Sequence, residues 1–248
     1  RVLGCGGAIR RMIARAVARE LRGEILEAAG PRQYGLRKDG AGAIYSFITA
    51  KLAMQRQKVG AAMDISNAFP SVYRGALGRE VSHRAPQLWS LVGGWFSSRS
   101  VHVIRGDDDD EMETVVQHRG LDQGCPLSPG LYSIAARTVL EWVLGCIRAA
   151  DPTGDVVAYL DDTIIIAEPA VIVEAIEEFH ATMAHLGLQV NGSKTKVWSP
   201  RADGIPQPLL QYQVSALEVL GAEVMYVRSR AEEGEDDEKA DEVGDDNC

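Results

Sequence analysis

Three carboxylates stand out because of the segments that carry them. Asp161 and Asp162 separate two apolar runs, 156–160 and 163–167, in the pattern of a tight β-hairpin. Acidic pairs at such turns commonly serve only the turn itself. Asp64, however, ends another apolar run, and if that strand pairs beside the hairpin, three negative charges converge and require cations. Oxygen ligands suit Mg²⁺, and two such ions about 3.5–4 Å apart would clamp the oxygens of a phosphoryl transfer.

The surrounding segments predict a fold of helices and antiparallel strands. Apolar residues recur at helical spacing in six segments, at residues 8–29, 43–57, 73–83, 86–96, 128–149 and 170–186. Strand-like runs occur at residues 59–65, 101–105, 114–118, 156–160, 163–167, 190, 194–198 and 217–227. Because there is no regular βαβ alternation, we expect an α+β fold with an antiparallel sheet packed on helices.

The net charge of −9 hides two regions of opposite sign. Residues 231–248 hold ten carboxylates and one lysine and lack aromatic residues, so we expect a disordered acidic tail. A shorter acidic run, 107–111, lies between two strand-like segments and is expected to be a solvated hairpin tip. Residues 1–58 hold twelve Lys and Arg against four Asp and Glu, which favours an acidic partner such as nucleic acid.

Several classes of protein are disfavoured by what the sequence lacks. No run approaches the roughly 18 consecutive apolar residues of a membrane span, and the first residues lack the apolar core of a secretory signal. The cysteines have neither zinc-site spacing nor a disulfide pattern, which favours a reducing, intracellular compartment; they are Cys5, Cys125, Cys146 and Cys248. Since the chain begins with Arg1, we expect it to be a piece of a longer polypeptide.

Five short motifs occur in the order and local context of the reverse transcriptase palm. They are residues 63–69 (MDISNAF), 120–129 (GLDQGCPLSP), 159–162 (YLDD), 186–195 (LGLQVNGSKT) and 220–221 (LG). The first resembles the family's D-x-x-N-A-F motif, the second its Q-G-x-P-L-S-P motif and the third its Y-x-D-D box. The fourth is similar to the L-G-L-x-x-N-x-x-K-T element, and the last to the start of the primer-grip hairpin. The resemblance therefore implies a right-hand polymerase palm with partial fingers.

The beginning of the chain is similar to a narrower group of these enzymes. Arg1, Arg10 and Arg11, followed by Gln33-Tyr34-Gly35 and Gly40, resemble the start of the fingers in non-LTR, LINE-type retrotransposon enzymes. The site-specific elements that insert beside spliced-leader genes resemble it most, and group II intron maturases share much of the pattern.

The resemblance implies catalytic roles for four residues. Asp64 and Asp161 would be the shared ligands of two Mg²⁺ ions, for which Mn²⁺ is a possible substitute, and Asp162 would assist as a third ligand and orient them. Lys194 would protonate the leaving pyrophosphate or steady the triphosphate. A lone lysine of this kind is as commonly just solvated.

The resemblance also implies residues that bind the substrates. Phe69 would pack under the sugar and exclude a 2′-hydroxyl, although a plain core aromatic is the alternative. Gln123 and Gly124 would contact the incoming nucleotide and the template. Arg1 is assigned to nucleotide binding at the start of the fingers, and the primer grip is assigned to Leu220 and Gly221.

The implied function is RNA-directed DNA synthesis as part of retrotransposition. The partners would be an RNA template, a DNA primer, deoxynucleoside triphosphates and other domains of a longer polyprotein. No membrane association is implied, and the implied location is the nucleus. The implied domains are partial fingers with basic helices (1–58), the palm with the catalytic carboxylates (59–199), a primer-grip-like hairpin region (200–230) and the acidic tail (231–248).

Two other readings stay open. The chain could be a catalytically silent or truncated relative that only binds nucleic acid or a protein partner. It could also be a metal-dependent nuclease that uses the same carboxylates, although that function explains neither Gln123 nor Phe69.

Overall fold

The fold was obtained as a computed structural model, which describes residues 7–97, 99–105, 112–201 and 203–224. Arg1, the hairpin tip at 107–111 and the tail at 231–248 lie outside the described residues. The predictions made for those three segments therefore stay predictions.

The described residues contain eight α-helices. They are α1 (Ala8–Glu20), α2 (Arg22–Ala29), α3 (Gly40–Met54), α4 (Ala68–Ser71), α5 (Arg74–Arg84), α6 (Pro86–Val92), α7 (Ser128–Ala150) and α8 (Pro169–His185). Short 3₁₀ helices follow α6 and accompany the later strands, at Gly93–Trp95, Gly192–Lys194 and Gln207–Tyr212.

Within the described residues, ten strands form one four-stranded sheet and three two-stranded ones. They are β1 (Val59–Met63), β2 (Ile65–Ser66), β3 (Ser100–Arg105), β4 (Met112–Gln117), β5 (Asp155–Tyr159), β6 (Asp162–Ala167), β7 (Gln189–Val190), β8 (Lys196–Trp198), β9 (Glu218–Val219) and β10 (Ala222–Glu223). The main sheet is antiparallel throughout, in the order β5-β6-β1-β8. The smaller sheets pair β2 with β7, β3 with β4, and β9 with β10. The expected α+β fold with an antiparallel sheet packed on helices is confirmed.

Both faces of the main sheet are buried. Alternate residues of β5 illustrate this, because Val156 and Ala158 pack in the larger core with α7 and α8, whereas Val157 packs in a second core with α3. Strands covered on both faces are apolar at nearly every position instead of alternating. This explains the continuous apolar runs around the carboxylates.

Helix α7 is the longest element and forms the centre of the larger core. With 23 residues, α7 is long and apolar enough to span a membrane, judged by length and composition alone. However, 61% of its apolar stretch is buried inside the fold. Buried core helices pass the same test.

The helix predicted at 8–29 is divided in two. Leu21 leaves the helical conformation between α1 and α2, although its N–H still bonds to Val17 O at 2.9 Å. Beyond this bend α2 packs against α7, where Gly130 lets Ile25 approach closely. Three apolar side chains of α1 that recur at helical spacing are exposed: Ile9, Met12 and Ile13. The division reflects the packing of α2 against α7. A contact between distant segments of this kind is not encoded in the local periodicity.

Candidate active site

The two-residue turn between β5 and β6 carries Asp161, one of the three candidate carboxylates. The turn consists of Leu160 and Asp161, and Asp162 is already the first residue of β6, paired with Tyr159. The turn therefore lies one residue earlier than the predicted Asp161-Asp162. Leu160 has φ +56°, a conformation that type II′ hairpin turns require at this position and that glycine adopts most readily. Because a leucine stands there, the sequence does not reveal the register of the turn.

Asp64 lies at the same end of the sheet as this turn. It directly follows β1, whose last residue, Met63, pairs with Thr163 of β6. Continued by one residue, the same register brings Asp64 toward Asp162. The carbonyl oxygen of Asp64 accepts a hydrogen bond from the N–H of Asn191 at 2.8 Å, which fixes its backbone between β1 and β2. The predicted pairing of the Asp64 strand beside the hairpin is confirmed.

Lys194 provides a positive charge next to Asp64. Its Nζ lies 3.3 Å from both Oδ1 and Oδ2 of Asp64. The lysine side chain is 55% exposed and the aspartate side chain 27%, so this ion pair is worth little as a stabilising contact. Lys194 ends the 3₁₀ helix Gly192–Lys194 and not a strand as predicted, because Asn191 Oδ1 accepts a hydrogen bond from Ser193 N and caps that helix.

The carboxylates provide the donor atoms that hard divalent cations prefer. Asp64 and Asp161 offer oxygen ligands at one end of the sheet, which fits Mg²⁺ in chemistry. Within the described residues, no group of three or more His, Cys, Asp or Glu side chains is assembled tightly enough to hold a metal ion. The strand pairing thus brings the carboxylates to one end of the sheet, but it does not assemble a site of three ligands.

The negative charge at the turn also acts on α7 beneath it. Tyr132 of α7 is fully buried, and its burial, together with the charges of Asp161 and Asp162, raises the pKa of its phenol above the ordinary value. Its hydroxyl has no hydrogen-bond partner within the described residues. Sequence patterns assign no role to this tyrosine, since only the fold brings it near the carboxylates of the turn.

A cavity of about 380 Å³ opens beside the carboxylates. Its walls include Asp64, Asp162 and Lys194, together with the predicted primer-grip residues Leu220 and Gly221. Its volume lies within the range of about 300–1,000 Å³ usual for ligand pockets. The fold therefore brings the first, third, fourth and fifth sequence motifs to one cavity.

Leu220 and Gly221 form the turn of the hairpin between β9 and β10. Their φ values are +52° and +82°, and Val219 pairs with Ala222 across the turn. Positive φ at both turn residues is the signature of a type I′ hairpin turn. The hairpin predicted at this place is confirmed, and its role as a primer grip stays a prediction.

Phe69 and the loop that carries Gln123 and Gly124 form a second group of predicted site residues, joined by a hydrogen bond. The ring of Phe69, in α4, lies 5.1 Å from the ring of Tyr132, centroid to centroid. The carbonyl oxygen of Phe69 accepts a hydrogen bond from Leu121 N at 2.7 Å, so α4 holds this loop. Gln123 and Gly124 are half-buried in a turn, and neither they nor Phe69 line the cavity.

The comparisons with known proteins agree with this fold. A family model described as reverse transcriptase (RNA-dependent DNA polymerase) matches residues 1–224. Telomerase from Candida albicans, in complex with a TWJ fragment of telomeric RNA, is similar with a TM-score of 0.60 and 10% identity over 87% of this chain and 37% of that one. Apo telomerase from Candida tropicalis, truncated from its C-terminal domain, is similar with a TM-score of 0.59 and 11% identity over 87% of this chain and 43% of that one.

At such low identity the likeness to the telomerases shows a shared fold alone. The chain spans less than half the length of those two proteins. No curated protein matches it by sequence.

Proposed function

Because this chain belongs to the reverse transcriptase (RNA-dependent DNA polymerase) family, we propose that it carries the catalytic palm of an enzyme that extends a primer 3′-hydroxyl with deoxynucleotides on an RNA template. The observation that carries the proposal is the pairing of β1 beside the β5–β6 hairpin, which puts Asp64 and Asp161 at one end of the sheet, where Asp64 and Asp162 line a cavity. Members of this family are nucleotidyltransferases, which fits the oxygen-donor chemistry of that end.

In the proposed mechanism, Asp64 and Asp161 would hold two Mg²⁺ ions, with Asp162 assisting; Mn²⁺ is a possible substitute. Such ions, when bound, lower the pKa of the primer hydroxyl and neutralise charge on the triphosphate. Asp64 directly follows β1 and Asp161 directly precedes β6, and these two strands are paired and mostly buried, so both ligands extend from a backbone that the sheet holds.

Lys194 would act on the triphosphate from the cavity wall. Its ammonium group is exposed and within 3.3 Å of Asp64, so it can turn toward a phosphate without breaking a buried contact. From there it would steady the triphosphate or protonate the leaving pyrophosphate. Its contact with Asp64 would then be exchanged for one with substrate.

Phe69, Gln123 and Gly124 would select and position the nucleotide. The contact of the Phe69 ring with the buried Tyr132 ring gives it a fixed place from which to reject a 2′-hydroxyl. The loop with Gln123 and Gly124 is hydrogen-bonded to α4, so the three residues would act as one unit. Leu220 and Gly221, which line the cavity, would hold the primer end.

We further propose that the enzyme serves retrotransposition of a non-LTR, LINE-type element, of the spliced-leader-inserting branch, within a longer nuclear polyprotein. The support for this context is the sequence of the motifs and of the fingers-like segment at 33–40. A telomerase function is supported only by the shared fold, since the sequence identity to those telomerases is 10–12%.

Primer extension tests the proposed function against both alternatives. A labelled DNA primer annealed to RNA is incubated with the purified protein, Mg²⁺ and the four deoxynucleotides, with chelator in a parallel reaction. We expect lengthened primers that require both metal and deoxynucleotides. Metal-dependent shortening would instead identify a nuclease. Salt-sensitive binding of the primer–template without any extension would identify a silent relative.

A further inference from the structure

A short segment outside the central sheet lies against the strand that leads into the catalytic turn. The backbone of residues 32–34 follows the free edge of β5, where Ala158 N donates to Arg32 O at 2.9 Å and Tyr34 N donates to Ala158 O at 2.7 Å. Gln33 and Ala158 form a parallel bridge. This segment covers an edge that would otherwise leave its backbone groups unpaired.

The side chain of Gln33 holds the backbone of the turn itself. Gln33 is 1% exposed, and its Oε1 accepts a hydrogen bond from Leu160 N at 2.7 Å. Its Nε2 donates to Leu160 O at 3.3 Å. Oε1 also accepts from Gly35 N at 3.0 Å, so one buried carboxamide binds both backbone groups of Leu160 and ties them to its own segment.

Leu160 needs such a restraint. Its φ of +56° is unfavourable for a residue with a Cβ, and strained backbone of this kind persists where its surroundings over-determine it. Gly35 makes the close approach possible, because a Cβ at that position would lie 2.7 Å from Leu160 Cγ and 2.8 Å from Leu160 N. The segment and the turn thus fit each other only with glycine at 35.

The residue after Leu160 is Asp161, so the backbone of Leu160 sets where that carboxylate points. We propose that Gln33 is a positioning residue: its carboxamide fixes the positive-φ turn and thereby aims Asp161 toward Asp64. Gln33 does not line the cavity and acts only through the turn. This inference rests on the polymerase function proposed above and extends it to a residue of the fingers-like segment.

The test variant is Gln33→Met, which keeps the side-chain volume and removes all three hydrogen bonds. If Gln33 aims Asp161, kcat of primer extension falls by about 10- to 100-fold, as for an ångström-scale misplacement of a catalytic group. KM for the deoxynucleotide stays unchanged because Gln33 does not touch it. Gln55→Met is the matched control, since the buried Oε1 of Gln55 has no hydrogen-bond partner within the described residues.

A second substitution separates positioning from general stability. Glycine at 160 adopts positive φ without strain, so Gln33→Met should cost much less kcat in a Leu160→Gly background than in the native one. A merely structural role of Gln33 predicts the same loss in both backgrounds, and that result would overturn the proposal.

Hydrogen exchange tests the contact without any need for activity. In Gln33→Met the Leu160 amide should exchange faster, whereas the Ala158 amide, bonded to Arg32 O, should not change. Unchanged exchange at Leu160, or equal acceleration at both amides, would refute the turn restraint. If the wild type makes no DNA, the proposed polymerase function fails, and the exchange at Leu160 still decides whether Gln33 holds the turn.

Discussion

Asp64 and Asp161, the two proposed metal ligands, are held in different ways. Asp64 lies between two strands and is fixed by a hydrogen bond from Asn191 N to its carbonyl oxygen. Asp161 lies in a turn of only two residues whose first residue is strained. Substitutions around the turn should therefore affect chemistry more than those around Asp64, because less of the fold opposes movement there.

Phe69 is the residue whose role is most easily separated from packing. Replacing Phe69 with Val opens the space that would exclude a 2′-hydroxyl, so we expect the preference for deoxynucleotides over ribonucleotides to fall by at least about 10-fold. The measurement is the ratio of kcat/KM for the two nucleotides. Tyr132→Phe, which keeps the ring that contacts Phe69 and removes only a hydroxyl with no partner in the described chain, is the control.

An unchanged nucleotide preference in Phe69→Val, accompanied by lower thermal stability, would mean that Phe69 is a plain core aromatic. Loss of stability is expected in either case, because Phe69 packs against the larger core. The preference is therefore the decisive quantity.

At the scale of elements, a buried ion pair secures the end of the sheet opposite the carboxylates. Lys58 precedes β1 and is fully buried, and its Nζ bonds to both carboxylate oxygens of Asp151 at the end of α7. Asp151 also accepts from Glu168 N at 3.0 Å, just beyond β6. The pair thus joins α7, β1 and β6, which together position the site.

Removing one partner of this pair should be costly. Lys58→Met leaves the Asp151 carboxylate buried without its cation, and we expect the free energy of unfolding to fall by about 3–5 kcal/mol at neutral pH. Chemical denaturation measures it. The exposed Lys38→Met should change it by less than about 0.5 kcal/mol. Equal, small effects of the two substitutions would show that the pair contributes nothing.

The cost of Lys58→Met should depend on pH in a defined direction. Burial alone raises the pKa of Asp151, but hydrogen bonds from Lys58, from Glu168 N and from Thr153 outweigh it and lower that pKa below its ordinary value. The stabilisation from this carboxylate is therefore complete above about pH 3.9 and is lost as the pH falls through the folded value. The difference in stability between wild type and variant should shrink below about pH 4. A difference that grows on acidification would contradict this.

The elements that sequence patterns predicted best are those with strong local signals. The helix predicted at 128–149 is observed as Ser128–Ala150, because Pro129 suits the first turn of a helix and the apolar residues keep helical spacing. The β5–β6 hairpin was also predicted, but its turn is shifted by one residue because positive φ falls on Leu160 and not on a glycine. The bend at Leu21 and the clamp by Gln33 depend on contacts between distant segments, which no local pattern contains.

At the scale of the whole molecule, the basic helix α1 is exposed at the beginning of the described chain. Arg11, Arg15 and Arg19 of α1 are exposed, whereas Arg10 stacks on Trp95 at 5.1 Å. The excess of basic residues in 1–58 favours nucleic acid as a partner, so we expect this helix to face the phosphates of primer and template. The division of the chain into fingers, palm, primer-grip region and tail stays a prediction.

Removing two of these charges should weaken binding of nucleic acid irrespective of sequence. For Arg11→Gln combined with Arg15→Gln, we expect the slope of log Kd against log salt concentration to decrease by about 0.9 for each lost phosphate contact on a B-form duplex. Fluorescence anisotropy with primer–template at several salt concentrations measures this. The control combines Arg79→Gln with Arg201→Gln, two exposed arginines on other segments. Equal slopes for both pairs would show that α1 does not contact the phosphates.

The most direct test of the central claim is single-nucleotide incorporation by Asp161→Asn, measured beside wild type and Asp203→Asn. Asp161→Asn should lose at least about 10³-fold in rate, equivalent to about 4 kcal/mol of transition-state stabilisation, because it removes a metal ligand from the turn. Its thermal midpoint should stay that of wild type, since the half-buried side chain belongs to neither core. Asp203, whose side chain is 81% exposed, should tolerate the same substitution. Incorporation by Asp161→Asn at the wild-type rate would contradict the assignment of this edge of the sheet as a polymerase active site.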